Sequence, residues 1–320
     1  MAKILMITPA FYPSRGGVET HVRRVSEELA KRGWQVRVLT KLIGNAVEQE
    51  KIGKLAVFRF KFPLVKLLGL LVIWWKLIVQ YWQLVRWADV VHAHDVFLWY
   101  LPLRLIFWRK KVVTTFHGWE GKYPIPWKNI FFKKLAARLS DKTVAIGKYV
   151  EKYYDIKTDL VIYGGVDVPS KLPKKQNLLL YVGRLSEDTG LPLLLDTLKN
   201  NAWQGKVVFC GDGELRGRAE KFGEVVGFAD PKSYLRKARV VFAGGYLSAL
   251  EALAHQCSVA VAADNELKKD YWRLSAFSNQ LNFLEENEIG GKGKELSKKF
   301  IEGFSWSSVA KKYEKLYPLP

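Results

Sequence analysis

The stretch KILMITPAFYPSRGGVETHVRRVSEELAKRGWQVRVLT, residues 3–40, decides the fold. It opens on an apolar run, 3–8, of strand length, and passes into a loop rich in Pro and Gly. From Thr20 to Arg32 the residues Val22, Val25 and Leu29 recur at helical spacing. Gly33 ends that pattern, and VRVLT at 36–40 reads as a second strand. Strand, loop, helix, strand is the unit from which parallel sheets are wound.

Outward from this unit the alternation continues. Short β-branched runs at 56–60, 89–94, 111–116, 143–146 and 160–163 are mostly separated by helical patterns, which predicts a parallel sheet with helices on both faces. After GGVD at 164–167 the stretch PSKLPKKQN has no periodicity and reads as a linker. Alternation then restarts, with strands at 178–182, 206–210, 225–228, 240–243 and 259–262 and helices at 191–199, 231–237 and from Ser248. The tail FSWSSVAKKYEKLY, 304–317, sets Trp306, Val309, Tyr313 and Leu316 on one helical face. At 320 residues the chain has room for two such domains.

Charge sets the next constraint. The chain carries 51 Lys and Arg against 31 Asp and Glu, for a net charge of +20, with 49% hydrophobic residues. That balance excludes a disordered or fibrous chain and points to an anionic partner: nucleic acid, an acidic membrane face or a phosphorylated small molecule. Residues 1–168 carry 28 basic and 13 acidic side chains and nine of the twelve tryptophans. No segment has base-stacking or groove-reading character, so nucleic acid is not expected. Cys210 and Cys257 alone make no disulfide framework, so a reducing compartment is the simpler expectation. The N-terminus runs straight into a strand pattern, and no secretory signal is expected from it.

The segment FPLVKLLGLLVIWWKLIVQYWQLVRW, 62–87, resembles a membrane span in composition only. Lys76 would lie near mid-bilayer at a cost of about 2.5–3.5 kcal/mol. As one helix it aligns Lys76, Gln80 and Gln83 in a narrow polar stripe. Two readings follow: a helix packed between sheet and neighbours, or an interfacial helix resting Trp74, Trp75, Trp82 and Trp87 among anionic headgroups.

Several residues fall where parallel sheets bind ligands, beyond the carboxyl ends of their strands. Gly16 and Gly17, between first strand and first helix, allow a phosphate to approach backbone amides, although a glycine pair serving only the turn fits equally. His117 follows the strand KVVTTF, where a ligand contact and a satisfied structural histidine fit equally, and Arg184 ends LLLYVGR, where its guanidinium suits a phosphate or simply solvent. Gly244, Gly245 and Tyr246 before SALEALA repeat the glycine-then-helix arrangement, and Glu251 follows one turn later. Read alone, that glutamate is a helix-dipole partner. His92 and His94 share a strand face, but no third ligand at a suitable spacing supports a metal.

Taken in order, eight segments give the chain a family resemblance: the 3–40 stretch, DVVHAHD at 89–95, VVTTFHG at 112–118, YGGVD at 163–167, LLYVGRLSEDTG at 179–190, VVFCGDGELR at 207–216, LEALA at 250–254 and the tail. The chain resembles the family 4 glycosyltransferases of the GT-B fold from end to end. The resemblance implies an α/β protein of two Rossmann-like, doubly wound parallel-sheet domains facing a cleft. The domains would be 1–168 on the acceptor side and 177–303 on the nucleotide-sugar side, with a linker at 169–176 and residues 304–320 packing back on the first. It implies retaining transfer of a sugar from a nucleoside-diphosphate sugar, without a metal or other cofactor. The Gly16 and Gly17 amides, Arg184 and the amides of Tyr246, Leu247 and Ser248 would hold the pyrophosphate, His117 the sugar or its phosphate, and Glu251 the ribose. A lipid-linked or cell-surface glycan acceptor, a cytoplasmic setting and peripheral attachment to the anionic inner membrane face accompany this reading.

Three positions depart from the family pattern. Ala243 stands where a sugar-binding glutamate is usual, Thr189 where a phosphate-binding lysine is usual, and Gly164 where asparagine is common. Losing a charge-assisted donor costs about 1.5–3 kcal/mol, or roughly one to two decades in rate. Lys148 and Arg216 are candidates to replace the lost contacts. The alternative is a weak or inactive relative that binds nucleotide or glycan.

Overall fold

The structure, a computed structural model, describes residues 1–62, 68–118, 121, 123–200, 203–284, 289 and 297–317. The chain divides into two compact units, Met1–Ile162 with Trp306–Pro320, and Tyr163–Ser305.

The first unit begins with β1 (Lys3–Thr8), α1 (Gly17–Lys31), β2 (Gln35–Lys41), β3 (Gln49–Ile52) and β4 (Leu55–Phe60). It continues with α2 (Gly69–Lys76), a π-helical turn (Leu77–Tyr81), α3 (Trp82–Trp87), β5 (Val90–His94), α4 (Phe97–Ile106), β6 (Lys111–Phe116), α5 (Trp127–Leu139), β7 (Lys142–Ile146), α6 (Tyr149–Tyr154) and β8 (Leu160–Ile162). Eight strands form one sheet in the order β3-β4-β2-β1-β5-β6-β7-β8, parallel except where β3 runs against β4. Its central strands are apolar on both faces because helices cover both: Ile4, Leu5, Met6 and Ile7 of β1 and Val90, Val91 and Ala93 of β5 are wholly buried.

The single helix expected over 62–87 is interrupted. Residues 63–67 lie outside those described, and the π-helical turn shifts the helical register between α2 and α3. The stripe of Lys76, Gln80 and Gln83 is therefore not one face of one helix. The four tryptophans part accordingly: Trp75 is exposed, whereas Trp74 is half-buried with its Nε1 donating to the Leu98 carbonyl (2.7 Å), and Trp87 lies under the Arg37 guanidinium, 3.9 Å from its ring centre.

The second unit holds β9 (Gln176–Val182), α7 (Leu191–Asn200), β10 (Lys206–Cys210), α8 (Arg216–Ala219), β11 (Glu224–Gly227), α9 (Lys232–Leu235), β12 (Ala238–Ala243), α10 (Tyr246–Ala254), β13 (Ser258–Val261), α11 (Glu266–Arg273), β14 (Leu281–Phe283) and α12 (Lys298–Glu302). Its six strands are all parallel, in the order β11-β10-β9-β12-β13-β14. The boundary lies earlier than a linker at 169–176 suggests, because Tyr163 to Val166 are fastened within this unit. Tyr163 Oη donates to the Leu274 carbonyl (2.9 Å), and the Val166 amide donates to Phe304 (2.9 Å). Gly164 has φ +99° and sits hard against the Leu247 side chain, so a residue with a β-carbon would be strained there and would have to move Leu247.

The last helix, α13 (Trp306–Leu316), belongs to the first unit and packs along α1. Its apolar face is the one read from the sequence, with Trp306, Val309, Ala310 and Tyr313 buried. Tyr313 Oη bonds His21 Nε2 and Thr115 Oγ1, each at 3.1 Å. Tyr313→Phe keeps the ring but strips two buried polar groups of a partner, so urea unfolding followed by tryptophan fluorescence should show a loss of about 1–3 kcal/mol.

Candidate active site

In each sheet the strand order reverses beside the first strand of its unit, between β1 and β5 in one and between β9 and β12 in the other. At such a point the connections leave in opposite directions and open a crevice at the carboxyl ends of the strands. The candidate residues gather at these two places.

In the first unit β1 leads into the loop that carries Gly16 and Gly17. Arg59, wholly buried on β4, anchors that loop by donating to the Tyr12 carbonyl (2.7 Å) as well as to the Val47 carbonyl (2.9 Å) and the Glu50 carboxylate. Gly16 is extended, and the Glu19 carboxylate lies so close that a β-carbon at Gly16 would collide with it. Ser14 Oγ donates to that same carboxylate (3.1 Å). The glycine thus makes room for an anion at the start of α1, and Glu19 supplies one from the chain itself.

His117 leaves the end of β6, as its strand context predicts, and its amide donates to Asp95 Oδ1 (2.9 Å). Asp95 follows β5 in a left-handed conformation, φ +59°, that turns its carboxylate back toward β6. The His117 ring does not stand alone. Its Nε2 meets His94 Nδ1 at 2.9 Å, and the His21 ring lies edge-on at 5.0 Å. His92 stacks 4.1 Å from His94 and bonds Thr115 Oγ1 (2.7 Å) and Tyr317 Oη (3.0 Å). Four of the chain's five histidines therefore form one cluster with Tyr313 and Tyr317 of the C-terminal segment. Among the described residues no group of three or more His, Cys, Asp or Glu is arranged to hold a metal.

Burial dominates the electrostatics of this cluster. It holds His21, His92 and His94 well below the ordinary imidazole range, with mutual repulsion among the rings adding to it, and it holds His117 down at about 3, with Lys133 as the second cause. All four are neutral near pH 7, so His117 offers a ligand a hydrogen bond and not a charge. The hydrogen-bond pattern also selects the tautomer. His94 Nε2 is buried with no partner among the described residues, and a buried N–H there would cost more than a bare ring nitrogen. The His94 proton accordingly sits on Nδ1 and is donated to His117 Nε2, which leaves the His117 proton on Nδ1. Sequence spacing had brought His92 and His94 forward only as possible metal ligands. Their part in orienting His117 depends on the register that sets His94 opposite Thr115, which no local pattern reveals.

In the second unit Arg184 follows β9 with its side chain 68% exposed and its Nη2 paired to Asp188 (2.7 Å). Thr189 is built into the same turn: its hydroxyl accepts from Tyr181 Oη (2.8 Å) and donates within the loop to the Ser186 and Arg184 carbonyls. Its hydroxyl is thus committed to the turn itself. Ala243 is buried at the end of β12, beside Val182. Of the first-turn amides of α10, that of Tyr246 already donates to Tyr271 Oη (2.9 Å), and the two rings stack at 3.9 Å. Leu247 and Ser248 are the next two residues of that turn, where amides have no acceptor within their own helix. Glu251 is half-buried one turn on, its carbonyl accepting from His255 Nδ1 (2.7 Å).

The two candidates for replacing lost contacts fare differently. Arg216 is engaged by Asp212 (3.1 Å) and Glu220 (2.8 Å). Lys148 is exposed at the start of α6, beyond the carboxyl end of β7. A third cation escaped the sequence reading. Lys268, nearly buried on α11, pairs with Asp264 (2.7 Å) and lies within electrostatic reach of Asp188, whose carboxyl is held below its usual range although burial opposes this. Arg184, Asp188, Lys268 and Asp264 thus alternate in sign across the ends of β9 and β13. In the sequence Lys268 is one lysine of a charged helix, DNELKKD, and nothing marks it as different from Lys269.

The histidine cluster makes the protein acid-sensitive, with a definite sign. The native pKa values lie below the unfolded value near 6.5, so the unfolded chain takes up protons that the native state refuses. Stability is full above about pH 6.5 and falls as pH drops toward about 3, by up to about 1.4 kcal/mol per pH unit for each histidine kept neutral. Denaturant midpoints should hold between pH 7.5 and about 6.5 and fall steadily from there to about pH 5; a profile flat down to about pH 5 would contradict the assignment.

Comparison with known proteins bears on the same residues. Residues 15–168 match the model of Glycosyltransferase Family 4. An uncharacterised glycosyltransferase of Methanocaldococcus jannaschii is 29% identical over 271 residues, covering 71% of this chain and 76% of that protein. Sucrose-phosphate synthase of Thermosynechococcus elongatus superposes with a TM-score of 0.73 at 16% identity, covering 99% of this chain and 98% of that one. HepE of Anabaena, in complex with UDP and glucose, gives 0.65 at 15% identity, covering 99% and 96%. The superpositions establish a GT-B architecture of two parallel-sheet domains, and the match over residues 15–168 together with the Methanocaldococcus relative makes the chain similar to the family 4 glycosyltransferases.

Proposed function

We propose that the protein is a retaining glycosyltransferase that moves a sugar from a nucleoside-diphosphate sugar to a lipid-linked or cell-surface glycan acceptor at the cytoplasmic face of a membrane. The observation that supports this most is the coincidence of the strand-order reversals with the candidate donor residues: Gly16 and Gly17 at one, with His117 at the end of the next strand over, and Arg184 and the start of α10 at the other. HepE, bound to UDP and glucose, and starch synthase IV of Arabidopsis thaliana, bound to ADP and acarbose, share the fold and point to the same donor class.

The leaving nucleoside diphosphate carries the charge that develops as the glycosidic bond breaks, so the chief electrostatic task is to receive it. Here Arg184 and the Leu247 and Ser248 amides take that part, a phosphate reaching the Gly16 and Gly17 backbone must displace the Glu19 carboxylate, and no metal is required. Arg184 must exchange Asp188 for phosphate, which lowers the net gain from binding. His117, neutral and protonated on Nδ1, donates to a sugar oxygen, and Glu251 accepts from the ribose. The sugar is a hexose in this reading.

One set of observations favours a second reading, a relative that binds nucleotide or glycan without transfer. Ala243 has no carboxylate, Thr189 is tied into its loop, and the Tyr246 amide is occupied by Tyr271.

A panel of UDP-, GDP- and ADP-sugars separates the two. Transfer predicts turnover with retained anomeric configuration and, at a donor concentration 100 times Kd, about 2.7 kcal/mol of added stability. Arg184→Ala should then lower kcat/KM by roughly one to two decades, and His117→Ala should lower kcat. Binding of a nucleoside diphosphate with neither transfer nor hydrolysis would establish the second reading, and no binding at all would overturn both.

A further inference from the structure

We infer that the first unit docks on an anionic lipid surface through one face built jointly by α2 with its π-helical turn, α4 and α5. This deepens the membrane partner named above and is independent of the transfer chemistry.

The face is defined by exposure. Trp75 is 56% exposed, Trp108 67% and Trp127 70%, each on a different one of these elements or directly after it. Leu71, Trp75 and Val79 continue one stripe down α2 and the π-helical turn, and Trp127 and Phe131 form another on α5. The elements are neighbours, since α4 packs against α2 and the π-helical turn on one side and against α5 on the other. Single exposed apolar side chains need no explanation, but three adjoining elements with an exposed tryptophan on or directly after each form a patch of the kind that marks an interface.

Charge identifies the occupant. Residues 61–140 hold thirteen Lys and Arg against three Asp and Glu, ten of the chain's twenty net positive charges in a quarter of its length. None of the three acidic residues lies in α2, α4 or α5. Two of the tryptophans carry a cation at the ring, Arg109 4.7 Å from the centre of Trp108 and Lys128 6.0 Å from that of Trp127. A second copy of the chain would bring the same cations against this face and be repelled. An acidic headgroup layer supplies both complements, negative charge for the cations and an amphipathic zone where tryptophan rings settle. The contact lies in the plane of the membrane: α2, α4 and α5 have 8, 10 and 13 residues, short of the roughly 20 that a span needs.

Co-sedimentation of the full chain with vesicles tests this without donor or acceptor. Vesicles of phosphatidylcholine and phosphatidylglycerol in equal parts should bind it on the order of tenfold more tightly than phosphatidylcholine alone, and added salt should release it. Arg109→Gln and Lys128→Gln should each weaken binding about fivefold. Trp75→Ser, Trp108→Ser and Trp127→Ser combined should abolish it, whereas Val47→Ser and Phe228→Ser, exposed elsewhere, should leave it unchanged. Equal binding to both vesicle types, or a triple variant that binds like the parent, overturns the inference. So does a triple variant whose only change is a lower mass by light scattering, which would assign the face to a second copy. Donor-induced stabilisation of the triple variant keeps the questions apart. If it persists while vesicle binding was never present, only the docking face falls; if vesicle binding is present and no donor binds or turns over, only the transferase reading falls.

Discussion

Parallel strands all end at one edge of their sheet, and there the backbone must leave its regular hydrogen bonding together with the neighbouring strands. Everything chemically distinctive in this chain sits at that edge in one sheet or the other. β1 ends in the glycine loop, β5 in His94 and Asp95, β6 in His117, β9 in Arg184 and β12 in the two glycines before α10. Where the strand order reverses, the connecting segments leave in opposite directions. The strand interiors, apolar on both faces, fix the register that puts these ends side by side.

That register also assembles the histidine cluster. His94 and His117 come from adjacent strands, His21 from α1, and Tyr313 and Tyr317 from the last segment of the chain. Their bonds pass a fixed pattern of donors and acceptors from Tyr317 through His92, Thr115 and Tyr313 to His21. Burial keeps the imidazoles neutral, and neutrality suits a contact to a sugar hydroxyl better than one to a phosphate. The C-terminal helix is therefore part of the support beneath His117.

Strand and helix positions were legible because apolar periodicity and glycine placement are local signals. The strand at 3–8, the helix that follows Gly17 and the tail face of Trp306, Val309 and Tyr313 emerge as the sequence implies. The break at Leu77–Tyr81 was not legible, since a π-helical turn is made by the neighbours it packs against and no residue in LIVQY announces it. Nor was β3, an edge strand of four mixed residues that owes its existence to antiparallel pairing with β4. At the site, Gly16, His117 and Arg184 could be named from strand ends. Their partners Glu19, His94 and Asp188 could not, because close approach in space leaves no trace in spacing along the chain.

The charge excess resolves into two uses once the pairs are known. In the second unit cations are matched within the fold, Arg184 by Asp188, Arg216 by Asp212 and Glu220, Lys206 by Glu224 and Lys268 by Asp264. A phosphate entering there must displace a carboxylate, which makes binding an exchange of partners and favours a doubly charged pyrophosphate over a singly charged anion. In the first unit the helices that expose tryptophan contain no carboxylate at all. Arg104 of α4 and Lys134 of α5 do find carboxylates outside these helices, Asp141 and Asp155, so the excess that can attract a diffuse acidic surface is what remains beyond those pairs. On the reading proposed above, the same net charge would serve a compact polyanion in one unit and a surface in the other.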